Sequence, residues 1–304
     1  MKLLKQILII SGKGGTGKTV ISAALASIVS SKVMADCDVD AANLYLLLKP
    51  EIIESVPFYG EKKAVVRVES CTGCGLCLPH CRFSAIAPTS EGKIKIDHIA
   101  CEGCGVCAHF CPAKAIEMKE NIAGNLFVSR TAYGPFVHAR LGAGEENSGK
   151  LVTEVRKKAK EIAEKEGLNY VIIDGPPGIG CPVVASLSGV DLALVVTEPT
   201  MSGIHDMERV IQVARHFGLK TACALNKFDI NPELSHEIEQ WCRLNSVPIL
   251  ARIPFEETVV KAVIQGIPIT EFSDNGGSQV VAEIKQLWHK MGDVLRVSDD
   301  IKLQ

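Results

Sequence analysis

The chain has 304 residues, of which 47% are apolar and 5% aromatic, and 33 Lys and Arg stand against 35 Asp and Glu. The length favours about two domains, whereas the near-neutral charge and the few aromatic side chains argue against direct binding of nucleic acid. Twelve cysteines are the unusual feature of the composition, and they need either a structural bond or a ligand role.

The beginning of the chain carries no recognisable secretory signal. Residues Met1–Lys5 lead directly into an apolar strand and lack both the longer apolar stretch and the cleavage site of such a signal. No stretch approaches the ~18 uncharged apolar residues of a membrane span. We therefore expect a cytoplasmic protein with no membrane span. In that compartment disulfides are disfavoured, so metal binding is the leading role for the cysteines.

Short apolar runs alternate with amphipathic stretches along most of the chain. Nearly continuous Val, Ile and Leu runs separated by helices are typical of a parallel sheet covered on both faces, so we expect a doubly wound α/β domain. Residues 126–149 are rich in glycine and polar side chains and are predicted to be irregular. The predicted strands are Gln6–Ser11, Lys32–Cys37, Asn169–Asp174, Val190–Thr197, Lys220–Leu225 and Val247–Ile253. The predicted helices are Gly17–Ser30, Gly149–Glu166, Gly203–Phe217, Pro232–Leu244, Glu256–Gln265 and Gly277–Leu295.

A glycine-rich loop follows the first strand and opens the first helix. Its sequence, GKGGTGKT, satisfies both the dinucleotide fingerprint G-x-G-x-x-G and the P-loop pattern G-x-x-x-x-G-K-[ST]. Lys18 and Thr19 favour the P-loop, because a triphosphate with Mg²⁺ uses a lysine and a hydroxyl there and a pyrophosphate bridge does not. In a P-loop the backbone N–H groups cradle the phosphates. The residues predicted to bind nucleotide here are Gly12, Lys13, Gly14, Gly15, Thr16, Gly17, Lys18 and Thr19.

Two copies of the spacing C-x₂-C-x₂-C-x₃-C lie thirty residues apart. This is the spacing of bacterial ferredoxins with two [4Fe–4S] clusters, in which the fourth cysteine of each copy binds the cluster of the other copy. Three thiolates on one loop hold three corners of a cubane, and the fourth comes from across a pseudo-twofold axis. The spacing predicts one cluster on Cys71, Cys74, Cys77 and Cys111 and a second on Cys101, Cys104, Cys107 and Cys81.

A pair of four-thiolate zinc sites is the main alternative for these cysteines. Zinc modules use two well-separated C-x₂-C pairs, so the clusters are favoured, and a disulfide framework is less favoured than zinc. Cys111 is followed by proline, as in ferredoxins, but Cys81 is followed by Arg82, a cation that would raise the potential of the second cluster. Three other cysteines are predicted to be small buried side chains: Cys37, Cys223 and Cys242.

Further along the chain, an apolar strand ends in Asp174 and is followed by a loop of glycine and proline. This pattern fits the Walker B role, in which an aspartate holds Mg²⁺ and the glycines leave the loop free to sense the γ-phosphate. The last predicted helix has an apolar face at helical spacing. Its polar side mixes acids with lysines, whereas a membrane-binding helix carries a basic face, so we expect it to pack on the sheet.

The glycine-rich loop, with its additional lysine at Lys13, resembles the deviant Walker A motif of the MinD/ParA group of ATPases, which includes the nitrogenase iron protein and the Mrp carriers. Residues 35–44 resemble the switch I segment of that group, and 224–227 and 252–255 resemble its adenine-binding segments. The resemblance covers the chain outside the cysteine repeats. It implies ATP or ADP bound with Mg²⁺ in a nucleotide-dependent homodimer.

The resemblance also implies roles for individual residues. Lys13 would reach the phosphates of the partner subunit, in the manner of an arginine finger supplied in trans. Asp40 has no counterpart in the family pattern. The catalytic residues implied are Lys13, Lys18 and Asp38, where Asp38 activates the attacking water; Thr19, Asp36 and Asp174 surround Mg²⁺; Asn226 contacts adenine; and Pro254 belongs to the loop over the base.

The whole pattern resembles MinD-superfamily P-loop ATPases that carry an inserted two-cluster ferredoxin domain. We predict an ATPase domain of residues 1–60 and 122–304 and an inserted ferredoxin-like domain of residues 61–121. The function implied is ATP hydrolysis and dimerisation coupled to electron transfer, through both clusters, to an unidentified redox or cluster-accepting protein partner.

Two other functions stay open on the sequence. A cluster-assembly carrier of the Mrp type would use a paired C-x-x-C, and Cys181 offers one thiol only. Cys181 follows the loop after Asp174 at the implied dimer face, where the nitrogenase iron protein bridges its subunits with a cluster. A MinD- or ParA-like organiser with redox-sensing clusters is the second alternative, and the charge balance argues against its direct binding to DNA or membrane.

Overall fold

The structure is a computed structural model that describes residues 4–145, 148–273 and 277–301. The chain divides into two compact units. The larger unit consists of Met1–Ser55, Leu126–Ala139 and Ser148–Gln304. The smaller unit consists of Val56–Asn125 and Arg140–Asn147, so it takes in a segment beyond the predicted range 61–121.

Strands and helices alternate through the larger unit, and four short strands belong to the smaller one. Their bounds, in chain order, are β1 (Lys5–Ser11), α1 (Lys18–Ile28), β2 (Lys32–Asp36), α2 (Leu44–Leu48), β3 (Glu51–Tyr59), β4 (Lys63–Val66), β5 (Ile86–Pro88), β6 (Ile94–Ile96), α3 (Val106–His109), β7 (Ile116–Lys119), β8 (Ile122–Thr131), β9 (Gly134–Leu141), α4 (Ser148–Glu166), β10 (Tyr170–Pro177), α5 (Cys181–Leu187), β11 (Leu192–Thr197), α6 (Met201–His216), β12 (Lys220–Asn226), α7 (Pro232–Leu244), β13 (Ile249–Ile253), α8 (Glu257–Gln265) and α9 (Gln279–Ile301).

Nine strands form one sheet, in the order β13-β12-β11-β1-β10-β2-β9-β8-β3. Every neighbouring pair from β13 to β9 is parallel. The chain winds to both sides of β1, and in such a sheet ligands bind at the carboxyl ends of the strands where the direction of winding changes. The predicted α/β fold with a mostly parallel sheet is therefore confirmed.

The six predicted strands and six predicted helices are all present, with ends that differ from the prediction by a few residues. The interior strands read as apolar runs because they are buried on both faces: Ile7, Leu8, Ile9 and Ile10 of β1 are fully buried. Two short helices of the larger unit, α2 and α5, escaped prediction. Each has only five to seven residues, too few for a helical period to repeat.

The prediction of irregular structure for residues 126–149 was wrong. Most of this segment forms β8 and β9, which lie next to each other in the sheet, and α4 begins at Ser148. Gly142, directly after β9, comes close to the neighbouring strand, because a Cβ there would lie 3.2 Å from the carbonyl oxygen of Ala123 in β8. A glycine that marks such packing was taken as a sign of irregularity.

The C-terminal helix packs on the larger unit, as predicted. Ile284, Leu287, Met291 and Leu295 of α9 are at most 4% exposed and belong to the same core as the sheet strands. Among the described residues, no helix combines the length and the hydrophobicity needed to cross a membrane.

The smaller unit is built twice from the same plan. Strand β4 pairs with β7 and β5 pairs with β6, both antiparallel. A Cβ on Gly73 would lie 2.0 Å from the carbonyl oxygen of Gly92, and a Cβ on Gly103 would lie 2.3 Å from that of Lys62. Gly73 and Gly103 lie thirty residues apart, and so do their partners Lys62 and Gly92. Gly73 and Gly103 each face a carbonyl of the other copy. The sequence repeat is therefore a structural repeat in which the two copies exchange contacts.

Lys32, the first residue of β2, is buried in the larger unit. Its side chain is 5% exposed and its ammonium donates to the carbonyl of Tyr133. Burial lowers the pKa of Lys32 from 10.5 to about 8, because an ammonium loses its hydration in the interior. Between these two pH values the unfolded chain holds more protons than the folded one, so the free energy of unfolding rises with pH across that window and is lowest below pH 8.

We expect unfolding by urea to show this dependence. Between pH 7 and pH 10 the wild-type free energy of unfolding should rise by up to about 3 kcal/mol through Lys32. Lys32→Met should abolish that rise, because the alkyl stem stays and the charge is removed. Fluorescence of Trp241 and Trp288, on α7 and α9, reports on the larger unit. Lys160→Met, at an exposed position of α4, is the control and should leave the rise intact.

Candidate functional site

The predicted P-loop lies at the carboxyl end of β1, in the middle of the sheet. The loop of residues 12–17 connects β1 to α1, which begins at Lys18. Lys18 is 6% exposed and Thr16 is 1% exposed, so both side chains face into the loop and its surroundings. The backbone N–H groups at the start of α1 have no partner within the helix and form an anion site. The geometry suits the binding of phosphate groups.

Two buried carboxylates lie opposite each other on the neighbouring strands β2 and β10. Asp36 is fully buried and accepts the backbone N–H groups of Asp38 at 3.1 Å and Leu44 at 3.2 Å. Asp174 is 1% exposed, and its Oδ1 accepts the hydroxyl of Ser22 at 2.8 Å. Its Oδ2 is buried and has no hydrogen-bond partner among the described residues. A buried oxygen without a partner is costly, and it fits a place for a bound cation or its water.

The protonation of this pair follows from burial. Burial and the nearby charge of Asp174 raise the pKa of Asp36. Burial raises the pKa of Asp174 to about 6, against the favourable charge of Lys18. The nearby hydroxyls of Ser22 and Thr19 also favour its charged form and lower its pKa. Two buried carboxylates side by side are stabilised in their charged forms by a divalent cation, so the structure brings Thr19, Asp36 and Asp174 together in a way that fits Mg²⁺.

Asp38 lies near Lys18, just beyond the end of β2. It is half-buried, and burial raises its pKa, against the opposing charge of Lys18 and an N–H from Ala41. A carboxylate with a raised pKa beside the phosphate loop is suited to accept a proton from water. Asp40, two residues further on, is exposed.

Lys13, the additional lysine of the loop, is held by residues of its own chain. Its ammonium pairs with Glu198 Oε1 at 2.8 Å and donates to Thr200 Oγ1 at 2.8 Å and Ser202 Oγ at 3.0 Å. Lys227 pairs with the second oxygen of Glu198, also at 2.8 Å, and donates to the carbonyl of Gly15. Burial raises the pKa of Glu198, but these two lysines outweigh it and the pKa is lowered. Glu198 is therefore charged and holds both lysines.

Three residues of the site were not predicted from the sequence: Ser22, Glu198 and Thr200. Ser22 lies one helical turn after Lys18 on α1, a spacing that could have indicated a shared face. Glu198 and Thr200 follow β11, and they reach Lys13 only because β11 is the neighbour of β1 in the sheet. The order of strands is not written in any local pattern.

An apolar cavity of about 300 Å³ lies beside the phosphate loop. Asn226 and Pro254 line it together with Ile253, Phe255 and Val259. The side-chain amide of Asn226 donates to the carbonyl of Thr16 at 2.7 Å. An apolar cavity with one amide at its edge suits a flat heteroaromatic base, and it opens on the same loop as the phosphate site.

The eight repeated cysteines form two groups in the smaller unit. Each group combines three cysteines of one copy with the fourth cysteine of the other copy. Matched members have matched exposure: the first and third cysteines of each copy are 7–9% exposed, the second is exposed and the fourth is half-buried. One cavity is lined by Cys71, Cys74, Cys77 and Cys111. Another is lined by Cys101, Cys104, Cys107 and Cys81.

The remaining cysteines divide as expected. Cys37, Cys223 and Cys242 are at most 1% exposed, whereas Cys181 is exposed at the first residue of α5.

Among the described residues, no three His, Cys, Asp or Glu side chains converge as ligands of a single metal ion.

Comparisons with known proteins identify a nucleotide-binding family and support the fold. Residues 7–269 match the CobQ/CobB/MinD/ParA nucleotide binding domain. An uncharacterised protein of Methanocaldococcus jannaschii is 33% identical over 96% of this chain and 98% of its own length. The septum site-determining protein MinD of Thermotoga maritima is 25% identical over 92% of this chain and 85% of its own. The structure of MinD from Pyrococcus horikoshii complexed with Mg-ADP has a TM-score of 0.54 at 20% identity, covers 95% of this chain and 96% of that one, and shares the fold.

Proposed function

The chain belongs to the CobQ/CobB/MinD/ParA family of nucleotide-binding proteins, and we propose that it is an ATP-hydrolysing homodimer whose nucleotide state controls electron transfer through two [4Fe–4S] clusters to a partner protein. The observation that carries the proposal is the presence, in one chain, of a P-loop site and two crossed groups of four cysteines. A protein that only binds nucleotide has no use for eight repeated thiols, and a simple electron carrier has no use for a P-loop.

The nucleotide site supports ATP with Mg²⁺. Lys18 neutralises the β- and γ-phosphates, while the N–H groups of residues 12–17 hold their oxygens. The carboxylate of Asp174 and the hydroxyl of Thr19 hold Mg²⁺, with Asp36 close behind, and the unpartnered Oδ2 of Asp174 fits this role. When bound there, Mg²⁺ would supply positive charge that stabilises the negative charge developing on the phosphate oxygens. Asn226 and Pro254 line the apolar cavity and take the adenine; the MinD of P. horikoshii, which shares this fold, was solved in complex with Mg-ADP.

Hydrolysis is assigned to Asp38 and Lys13. Asp38 orients the attacking water and accepts its proton. Lys13 leaves Glu198 and reaches the phosphates of the partner subunit, where its charge stabilises the transition state. Glu198 keeps Lys13 within its own chain until a partner's phosphates offer a stronger negative charge. The two states of Lys13 link the nucleotide to dimerisation.

The smaller unit supports the clusters through its donor set. Cysteine thiolates are the ligands of [4Fe–4S] clusters. The described residues that line the cavity of the first group include no carboxylate or imidazole. His80 and Glu102 line the cavity of the second group together with its four cysteines. A bound [4Fe–4S] cluster supplies one-electron chemistry. The backbone N–H of Ala115 donates to Cys111 Sγ at 3.3 Å, a contact that favours the thiolate.

Anaerobic iron and sulfide analysis tests the cluster assignment. We expect about eight iron and eight sulfide per chain, from two cubanes. Cys74→Ala should lower both values to about four, because one cubane loses a ligand. Cys181→Ala removes another exposed thiol and should leave both values unchanged. Wild-type protein with zinc in place of iron, or with no sulfide, would overturn the assignment.

Incubation with an apo-ferredoxin separates electron transfer from cluster delivery. We expect the protein to keep its iron in the presence of the apo-ferredoxin, with or without ATP. Movement of iron and sulfide to the apo-ferredoxin would identify a cluster carrier and contradict the redox role.

A further inference from the structure

Two lysines of the smaller unit occupy equivalent positions in the repeat but have different partners. Lys63 and Lys93 lie thirty residues apart, the same offset as the cysteines. The ammonium of Lys63 donates to the carbonyl of His98 at 2.9 Å and pairs with Glu145 at 2.9 Å. The ammonium of Lys93 donates to the carbonyl of Cys71. Each lysine therefore reaches a carbonyl of the other copy, but the two carbonyls are not equivalent in the repeat, and among the described residues only Lys63 is paired with an acid.

Glu145 neutralises Lys63. The two side chains are 7% and 12% exposed, and the second oxygen of Glu145 accepts the amide of Asn121 at 2.8 Å. A buried and hydrogen-bonded pair of opposite charges has little net field outside it. Lys93 has no ion pair among the described residues, so its charge stays uncompensated beside the backbone of Cys71.

A second contact favours the same group of cysteines. The N–H of Ala115 donates to Cys111 Sγ at 3.3 Å, and Cys111 belongs with Cys71 in the first group. Reduction adds negative charge to a cluster and its thiolates. An uncompensated cation and an N–H donor both stabilise that charge, and hydrogen bonds to sulfur and net charge set the potentials of such clusters.

We propose that the two clusters have different potentials, that the one held by Cys71, Cys74, Cys77 and Cys111 accepts the first electron, and that Lys93 is the residue that raises its potential. The inference rests on the proposed function, since it needs both clusters to be bound. Each cluster takes one electron from a reductant such as dithionite and passes from its 2+ to its 1+ state, with no proton transferred. Arg82, which follows Cys81 in sequence, would instead raise the potential of the second cluster. If Arg82 dominated, the second cluster would accept the first electron.

A redox titration followed by EPR tests the proposal on the anaerobic, iron-loaded protein. Two one-electron couples are expected in the wild type. Lys93→Met should lower the higher-potential couple and leave the other in place. Lys95→Met, at an exposed lysine of β6 two residues further on, removes the same charge without the contact to Cys71 and should move neither couple selectively. A shift of the lower couple in Lys93→Met, or no shift at all, overturns the proposal.

A second variant acts on the other copy and does not depend on the first. Glu145→Gln keeps an oxygen for Lys63 but removes the neutralising charge, so the lower couple should rise and the gap between the couples should narrow. An unchanged gap overturns the account of the two lysines. Iron analysis of the same samples separates the two levels of failure: wild type without about eight iron per chain contradicts the proposed function itself, whereas full iron with unmoved couples contradicts only this inference.

Discussion

Lys13→Ala should lower the rate of ATP hydrolysis by a factor on the order of 10³ or more, the range observed when a cationic finger is removed from a phosphoryl-transfer site. The affinity for ATP in the monomer should change little, because the ammonium of Lys13 is held by Glu198, Thr200 and Ser202 of its own chain. Single-turnover hydrolysis and equilibrium binding of a fluorescent ATP analogue measure the two quantities separately.

Lys227→Ala is the matched control for this prediction. Lys227 pairs with the same carboxylate at the same 2.8 Å, and its side chain is 29% exposed against 25% for Lys13. The control removes the other cation that Glu198 holds, together with a hydrogen bond to the carbonyl of Gly15, so an effect that comes only from leaving Glu198 with one lysine would appear in both variants. Equal losses of hydrolysis in the two variants would contradict a special role for Lys13.

The second large effect is expected at Asp38. Asp38→Asn should reduce hydrolysis by about 10²- to 10⁴-fold, the usual contribution of a general base, and should leave ATP bound in a persistent dimer. Asp40→Asn, at an exposed acid two residues away, removes the same charge from the same loop and should stay close to wild type. Sedimentation with and without ATP reports the dimer. A fully active Asp38→Asn protein would remove Asp38 from the mechanism.

The two variants together test whether Lys13 acts in trans. In a mixed dimer, the subunit that lacks Lys13 still has Asp38, and its partner supplies Lys13. An equimolar mixture of two inactive proteins should therefore recover about a quarter of the wild-type sites, since half of the dimers are mixed and each holds one complete site. No recovery would place the action of Lys13 within its own subunit.

Sequence spacing predicted the parts of the site that depend on local chemistry. The phosphate loop lies on a few consecutive residues, and the glycines, Lys18 and Thr19 are required there by one ligand. The cysteines follow the same logic, because in the ferredoxin spacing three ligands of a cubane come from one short loop. The crossed grouping also followed from the repeat, and Cys111 and Cys81 lie with the opposite copies as expected.

The parts that escaped prediction depend on which strands become neighbours. Glu198 meets Lys13 across 185 residues of sequence, and Glu145 meets Lys63 across 82. No repeat in the local sequence connects such pairs. They come into contact because of the order of the strands in the sheet and because distant segments of the chain pack together. The β8–β9 pair was missed for a related reason: its glycines permit close strand packing, which a single strand viewed alone does not reveal.

The coupling between nucleotide and electron transfer is the central claim, and one kinetic measurement tests it most directly. The protein is reduced with dithionite, freed of excess reductant and mixed in a stopped-flow instrument with an oxidised viologen, in the presence of MgATP, MgADP or no nucleotide. We predict that the rate with MgATP differs from the other two, and that Lys13→Ala loses this difference while keeping its iron. Identical rates in all three conditions would contradict the account.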